Sequence, residues 1–283
     1  MMRFHRESAR VFVPDGTPAP EALARTTHMG ISAHHDDLEI MAIDGILRSF
    51  RRPDRWFTGV VVTDGSGSPR AGRYAETTDE EMQAIRAAEQ EKAAIVGEYA
   101  AQVLLGYPSA EVKDAGSQRT VEDLARLIEA ARPEVVYTHN LADKHPTHVA
   151  TGLRVIEAIR RLPAERRPAR LYGCEVWRGL DWMLDEDKVV FDCSAQENLQ
   201  EALLGVFDSQ ISGGKRYDLA TMGRRRANAT YFESHGVDAA SGLTFAMDLT
   251  PVMEDPSLDV VTYVQAFINR FADDVTGLIA TVS

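Results

Sequence analysis

Four short, largely apolar runs punctuate the first half of this chain, at 27–33, 57–63, 102–105 and 134–138. The stretches between them repeat with helical spacing. Residues 39–50 place Ile40, Ile43 and Leu47 on one face, and Thr78 with Glu81 forms a capping-box pair opening a helix that runs to about Tyr99. Thr120 is expected to cap a third helix with Leu124, Leu127, Ile128 and Ala131 inward, and 145–162 reads as a fourth. A strand apolar along its whole length must be covered on both faces, and helices alternating with such strands supply the cover. The pattern predicts an α/β, Rossmann-like three-layer fold with a mostly parallel sheet. In such sheets ligands sit at the carboxyl ends of the strands. There the chain places three polar segments: 33–39 (AHHDDLE), 64–68 (DGSGS) and 138–148 (THNLADKHPTH).

From about Pro163 the pattern changes. Residues 170–176 and 188–193 read as strands flanking a Trp-rich turn, 196–211 as a helix, 213–256 as irregular and polar, and 259–280 as one or two final helices. The expectation is a single domain of 283 residues, with 27–160 as core and 163–283 as a C-terminal elaboration.

The net charge of −12 disfavours a nucleic-acid partner. Lys215, Arg216 and Arg224 to Arg226 form the one dense basic cluster, and the run Arg224 to Arg226 is expected to be a solvated or subunit-facing surface. No apolar stretch approaches the roughly 20 residues of a membrane span. The N-terminal segment has no apolar signal region, so a cytoplasmic location is expected, and a homo-oligomer is compatible with the composition. Cys174 and Cys193 form no CxxC pair and are expected to be buried thiols. Gly213-Gly214-Lys215-Arg216 is no P-loop, and no GxGxxG follows a strand, which removes the dinucleotide reading of this fold.

Carboxylates beside imidazoles are costly to bury unless a cation or proton sits among them. His34 and Asp37 are three apart at a strand-to-helix corner, and His145 and His148 are three apart around Pro146, a first-turn proline that makes His145 the N-cap. The helix N-terminus is expected to keep His148 neutral. His34, Asp37 and His148 form a His-Asp-His set with room for water, the pattern of a catalytic rather than a structural zinc site. Zinc is the first choice, and iron, cobalt, nickel or manganese suit the same donors.

Residues 33–40, AHHDDLEI, resemble the AHPDD(x)E signature of the LmbE-like, or PIG-L, family of zinc-dependent N-deacetylases. KHPTH resembles that family's HPDH signature, TDG its second-strand loop, and Arg86-Ala-Ala-Glu89 its RxxE helix. The resemblance covers roughly 27–160. It implies a Rossmann-like fold and zinc-dependent removal of an acetyl group from an N-acetylglucosamine-type sugar or conjugate. It also implies His34, Asp37 and His148 as metal ligands, Asp36 as general base, and His145 as general acid or oxyanion partner. Asp64, Arg86 and Asp143 are the candidate substrate-side groups, with Glu89 expected to pair with Arg86, and Trp177 and Trp182 as candidate sugar-stacking rings.

The chain departs from the family pattern at three places. His35 replaces the usual Pro and is a minor candidate for substrate contact. Thr147 replaces the Asp of HPDH that orients the catalytic His, a task Asp143 is a candidate to assume. Gly242-Leu-Thr-Phe-Ala-Met247 is the nearest match to GxxYAE and lacks its carboxylate. The other readings are an amidase of a thiol-sugar conjugate or natural-product intermediate, and a small-molecule-binding protein without turnover.

Overall fold

A computed structural model describes residues 2–283. Eight strands form one sheet in the order β1-β4-β3-β2-β5-β6-β8-β7. They span Arg10–Phe12 (β1), His28–Ser32 (β2), Phe57–Thr63 (β3), Ala101–Tyr107 (β4), Val135–His139 (β5), Arg170–Cys174 (β6), Val189–Asp192 (β7) and Leu243–Asp248 (β8). β2 to β6 are mutually parallel, while β1 runs antiparallel to β4 and β8 antiparallel to both β6 and β7. The chain lays down β2 at the centre, builds outward through β3 and β4, then returns to place β5 and β6 on the other side. That reversal creates a switch point between β2 and β5, the position where a sheet of this kind opens a crevice at its carboxyl edge. The fold is the expected Rossmann-like three-layer α/β arrangement.

The strands are apolar because helices cover both faces. β2 and β3 are buried at every residue. One core cluster joins Ile31, Val60, Val103 and Val136 to Leu124, Leu127, Val155 and Ile159 of the helices Arg119–Ala131 and Pro146–Arg160. The other joins Val61, Tyr99 and Tyr137 to Leu38, Ile43 and Ile46 on the opposite face.

Gly30 and Gly59 pair across β2 and β3. A methyl group on Gly30 would meet Leu38 Cδ2 and Phe57 Cζ, each at 2.8 Å, and one on Gly59 would meet Leu38 Cδ1 at 2.8 Å. These two gaps let Leu38 seat the short helix Asp37–Met41 directly on the sheet. Gly30→Ala is therefore expected to overpack this contact and lower stability by about 1–3 kcal/mol, read from the urea midpoint.

Several local readings change. Residues 39–50 are two helices, Asp37–Met41 and Ile43–Ser49, broken at Ala42. The helix expected from Thr120 starts at Arg119 with Gln118 at the N-cap, and the Thr120 hydroxyl is buried without a partner. Residues 196–211 break into Glu197–Gly205 and Asp208–Ile211. The segment 213–256, expected to be irregular, holds the helix Tyr217–Tyr231, β8 and the helix Thr250–Glu254. The helix Tyr217–Tyr231 buries Thr221, Met222, Arg225 and Ala229, so its inward face mixes polar and apolar residues and carries no clear hydrophobic period. The capping box of Thr78 and Glu81 is present as expected.

Candidate metal centre

Asp36, which opens the helix Asp37–Met41, sits at φ +84°, a conformation L-residues avoid and Asp and Asn tolerate best. The sharp turn it makes points His34 and Asp37 to one side. Asp37 Oδ2 accepts the His34 backbone N–H at 2.8 Å, which fixes the carboxylate. From across the switch point, the helix Pro146–Arg160 brings in His148, fully buried, with His145 at its N-cap.

Three donor atoms meet there. His34 Nδ1 lies 3.2 Å from Asp37 Oδ2 and 3.1 Å from His148 Nε2, and His148 Nε2 lies 3.4 Å from Asp37 Oδ2. A proton on one nitrogen can satisfy one of these approaches; a cation satisfies all three. Ligands about 2.0–2.2 Å from a tetrahedral zinc ion are about 3.3–3.6 Å apart, so the triangle would admit such an ion by opening about a few tenths of an ångström.

His139, the last residue of β5, carries no motif that marks it in the sequence. Its Nε2 is 3.5 Å from Asp37 Oδ2, and Asp37, His139 and His148 also form a compact donor group. That nitrogen accepts the Ala33 N–H at 2.8 Å, however, so its lone pair is already used. The His139 ring stacks on His148 at 4.0 Å and acts as a brace. A third grouping replaces Asp37 by His145, whose nitrogen lies within 4.8 Å of those of His34 and His148. The His145 ring is half-buried, lines the cavity and leaves Nδ1 without a partner.

Electrostatics separate the two adjacent carboxylates. Burial alone would raise Asp37, but His148, the His34 hydrogen bond and His139 outweigh it and hold Asp37 far below the usual carboxylate range. Asp36 is pushed well up, first by burial and then by Asp37, Glu39 and Glu89, against the opposing pull of Arg86. Arg86 Nη2 lies 3.7 Å from Asp36 Oδ1, and Asp36 Oδ2 has no partner. For His148, burial lowers proton affinity, yet Asp37 and Asp143 override it and raise it. A cation would compete with the proton for that lone pair. His145 is lowered to about 4 by burial and by the neighbouring His148 and His34.

Asp143 Oδ1 accepts the His145 N–H at 2.9 Å and Oδ2 accepts the Trp177 N–H at 3.0 Å. The same Oδ2 lies 3.5 Å from His148 Nδ1. The carboxylate therefore serves His148 rather than the His145 ring and lies outside the cavity lining. Carboxylate partners of ligating histidines set ring orientation and basicity. Asp143→Asn is expected to weaken divalent-metal affinity by about 10–100-fold, measured by titration calorimetry.

The donors open into a cavity of about 410 Å³. Arg86 lines it, giving one N–H to the His35 carbonyl at 2.7 Å. Asp64 does not: its carboxylate accepts from Ser66 N and Oγ within its own turn. His35 is buried beneath Gly65, whose φ of +81° and 2.9 Å clearance from the His35 ring leave no room for a side chain. Glu89 accepts from Ser209 N and Oγ at 2.7 and 2.6 Å instead of pairing with Arg86. Trp177 lines the cavity, whereas Trp182 packs edge-on against Phe271. Met247 is fully buried in β8.

The far wall comes from the C-terminal half. Lys215, Tyr217 and Arg224 line it, so part of the basic cluster faces the site. Arg225 is buried and clamps the helix break at Ala42: its Nη2 donates to the Glu39 and Ile40 carbonyls at 2.8 and 3.2 Å. Only Arg226 of that triplet lies on the surface, paired with Glu197. Glu39 turns inward, accepting from Tyr99 Oη and Gln90 Nε2, and burial pushes it up to about 7.

No curated relative matches the chain in sequence. Among solved structures, a conserved protein from Thermus thermophilus superposes with a TM-score of 0.60 at 19% identity, covering 83% of this chain and 100% of its own. A 4-carboxy-2-hydroxymuconate hydratase from Pseudomonas putida gives 0.60 at 16% identity, covering 79% and 96%. An N,N'-diacetylchitobiose deacetylase from Pyrococcus horikoshii gives 0.56 at 18% identity, covering 78% and 83%. These likenesses establish the fold, and the fold serves both a hydratase and a deacetylase. The family comparison is narrower and falls on the segment that holds every donor described above. Residues 29–159, with both histidine segments among them, match the model of the GlcNAc-PI de-N-acetylase (PIG-L) family.

Proposed function

We propose that this chain is a metal-dependent hydrolase that removes an acyl group, acetyl first, from the nitrogen of an N-acetylglucosamine-type sugar or its conjugate. The observation that carries the reading is the triangle of His34 Nδ1, Asp37 Oδ2 and His148 Nε2, with a second, non-ligating carboxylate at the adjacent residue. The family match of residues 29–159 and the chitobiose deacetylase fold neighbour support the bond and the sugar.

A divalent ion on these three residues would polarise an amide carbonyl and lower the pKa of a water from about 15.7 toward about 7. Asp36 borders the same cavity, and its raised proton affinity suits it to take the proton of the attacking water. Arg86 holds the Asp36 loop through the His35 carbonyl and limits how far that affinity rises. His145, which lines the same cavity with Trp177 stacked behind it at 6.4 Å, is placed to donate a hydrogen bond from its neutral ring toward the carbonyl oxygen. Water adds to the carbonyl carbon, the C–N bond breaks, the proton held by Asp36 passes to the nitrogen, and acetate and a free amine leave.

The cavity wall adds a preference. Neither Lys215 nor Arg224 pairs with a carboxylate among the described residues. Lys215 Nζ lies 5.1 Å over the Trp177 ring, and Arg224 donates to the Val176 carbonyl. Two uncompensated cations in the site of a chain carrying −12 favour a conjugate with an anionic group beyond the sugar. Lys215→Ala is expected to raise KM for a sugar phosphate about tenfold and to leave kcat and the KM of the neutral sugar unchanged.

The direct test is metal-loaded protein with N-acetylglucosamine and its phosphates, scoring acetate and primary amine together. Equal release of both supports the reading. Conversion of an unsaturated carboxylic acid by water addition, with no acetate from any amide, would assign the site to hydratase chemistry.

A further inference from the structure

The last helix, Val260–Val282, plays no part in the site. Its first half is seated: Phe267 is buried, Tyr263 Oη donates to the Asp248 carbonyl at 2.7 Å, and Arg270 pairs with Asp187 at 2.7 Å. Phe271 meets Trp182 at 6.3 Å. Among the described residues, no hydrogen bond, ion pair or ring contact ties anything after Phe271 to the rest of the chain. The apolar stripe nevertheless continues. Apolar residues stand at 261, 264, 268, 271, 275, 278 and 282, alternating steps of three and four without a break. Val261, Ile268, Leu278 and Val282 are 63%, 45%, 64% and 80% exposed.

A strict three-four alternation has a period of 3.5 residues, which is the seam of a coiled coil and narrower than the stripe a helix turns to its own core. Beyond Phe271 the helix continues as an exposed stretch whose apolar residues nothing else covers among the described residues. It contains Val275, Thr276, Gly277, Thr281 and Val282, all poor helix formers.

We infer that this helix pairs with the same helix of a second copy of the chain, making a homodimer through a short coiled coil. The seam is self-complementary, as a two-fold contact requires. The exposed shares of Val261, Ile268, Phe271, Val275, Leu278 and Val282 amount to roughly 600 Å² per copy, or at most about 1,200 Å² per pair, at the lower edge of the ~1,200–2,000 Å² of stable interfaces. A membrane surface fits less well. Membrane-lying helices carry Lys and Arg on the polar face, whereas this one carries Asp273 and Asp274, and its single cation, Arg270, is paired with Asp187. The inference is independent of the proposed chemistry, since no residue of the seam lines the cavity.

Sedimentation equilibrium of the full chain over a concentration series tests it. The unaltered protein is expected to run at twice the chain mass at micromolar concentration. The double variant Val275→Asp with Leu278→Asp is expected to weaken self-association at least about 100-fold, with the monomer still folded by circular dichroism. Thr276→Asp, on the polar face of the same turn, should leave the dimer intact. A monomeric unaltered protein, or a double variant that still dimerises, overturns the inference. So does a monomer that co-sediments with phosphatidylglycerol–phosphatidylethanolamine vesicles, which would give the face to a membrane.

Discussion

Asp36→Asn is expected to cut turnover by about 10²–10⁴-fold while metal content stays at the unaltered level. The expectation rests on two adjacent carboxylates with opposite environments. Asp37 is surrounded by His34, His139 and His148, which hold it ionised and fit to bind a cation. Asp36 has one partnerless oxygen, borders the cavity, and binds a proton more readily than an ordinary carboxylate. Asn suits the test because it tolerates the φ of +84° that this position imposes, so the loop bearing His34 and Asp37 keeps its shape. Metal analysis and steady-state rates on the same preparation separate the two roles. Near-full turnover in Asp36→Asn would move the base elsewhere, and loss of metal would make Asp36 part of the ligand set.

His148→Ala is expected to have the larger effect on binding. Losing a carboxylate that only orients a ligating histidine weakens metal by about 10–100-fold, so losing the histidine itself should exceed about 100-fold. His148 is also the one donor that arrives from the far side of the switch point, and without it the remaining pair comes from a single loop. Activity should disappear with the metal. His139→Ala is the informative partner, because His139 gives its Nε2 to the Ala33 N–H and not to the metal. It should disturb the stacking on His148 and lower stability, yet still load a full equivalent of metal when folded. Calorimetric metal titration of the two variants checks the difference.

Much of this is legible in the sequence because the first half of the chain is locally consistent. Its parallel strands are buried on both faces, so they read as unbroken apolar runs, and the polar segments that follow them fall on one rim by topology alone. His34, Asp37 and His148 can be read because a loop donor pair and a helix-start donor pair each have a fixed spacing. His139 cannot, since a histidine ending an apolar strand carries no pattern. Arg225 reads as a surface charge because its partners, the Glu39 and Ile40 carbonyls, belong to a helix break that side-chain periodicity does not reveal. The helix Tyr217–Tyr231 is hidden for a related reason, since an inward face that uses Thr221 and Arg225 looks like loop. Asp64 looks like a ligand-facing group, but a carboxylate in a glycine-rich turn is more often satisfied by that turn, here by Ser66, than offered to a ligand.

One cation between two loops underlies the proposed chemistry. A crystal grown with zinc and measured on both sides of the zinc absorption edge gives the most direct answer. The prediction is a single anomalous peak bounded by His34 Nδ1, Asp37 Oδ2 and His148 Nε2, with Asp36 outside the ligand set. Absence of a peak there, or a peak held instead by His139 or by surface carboxylates, would contradict it.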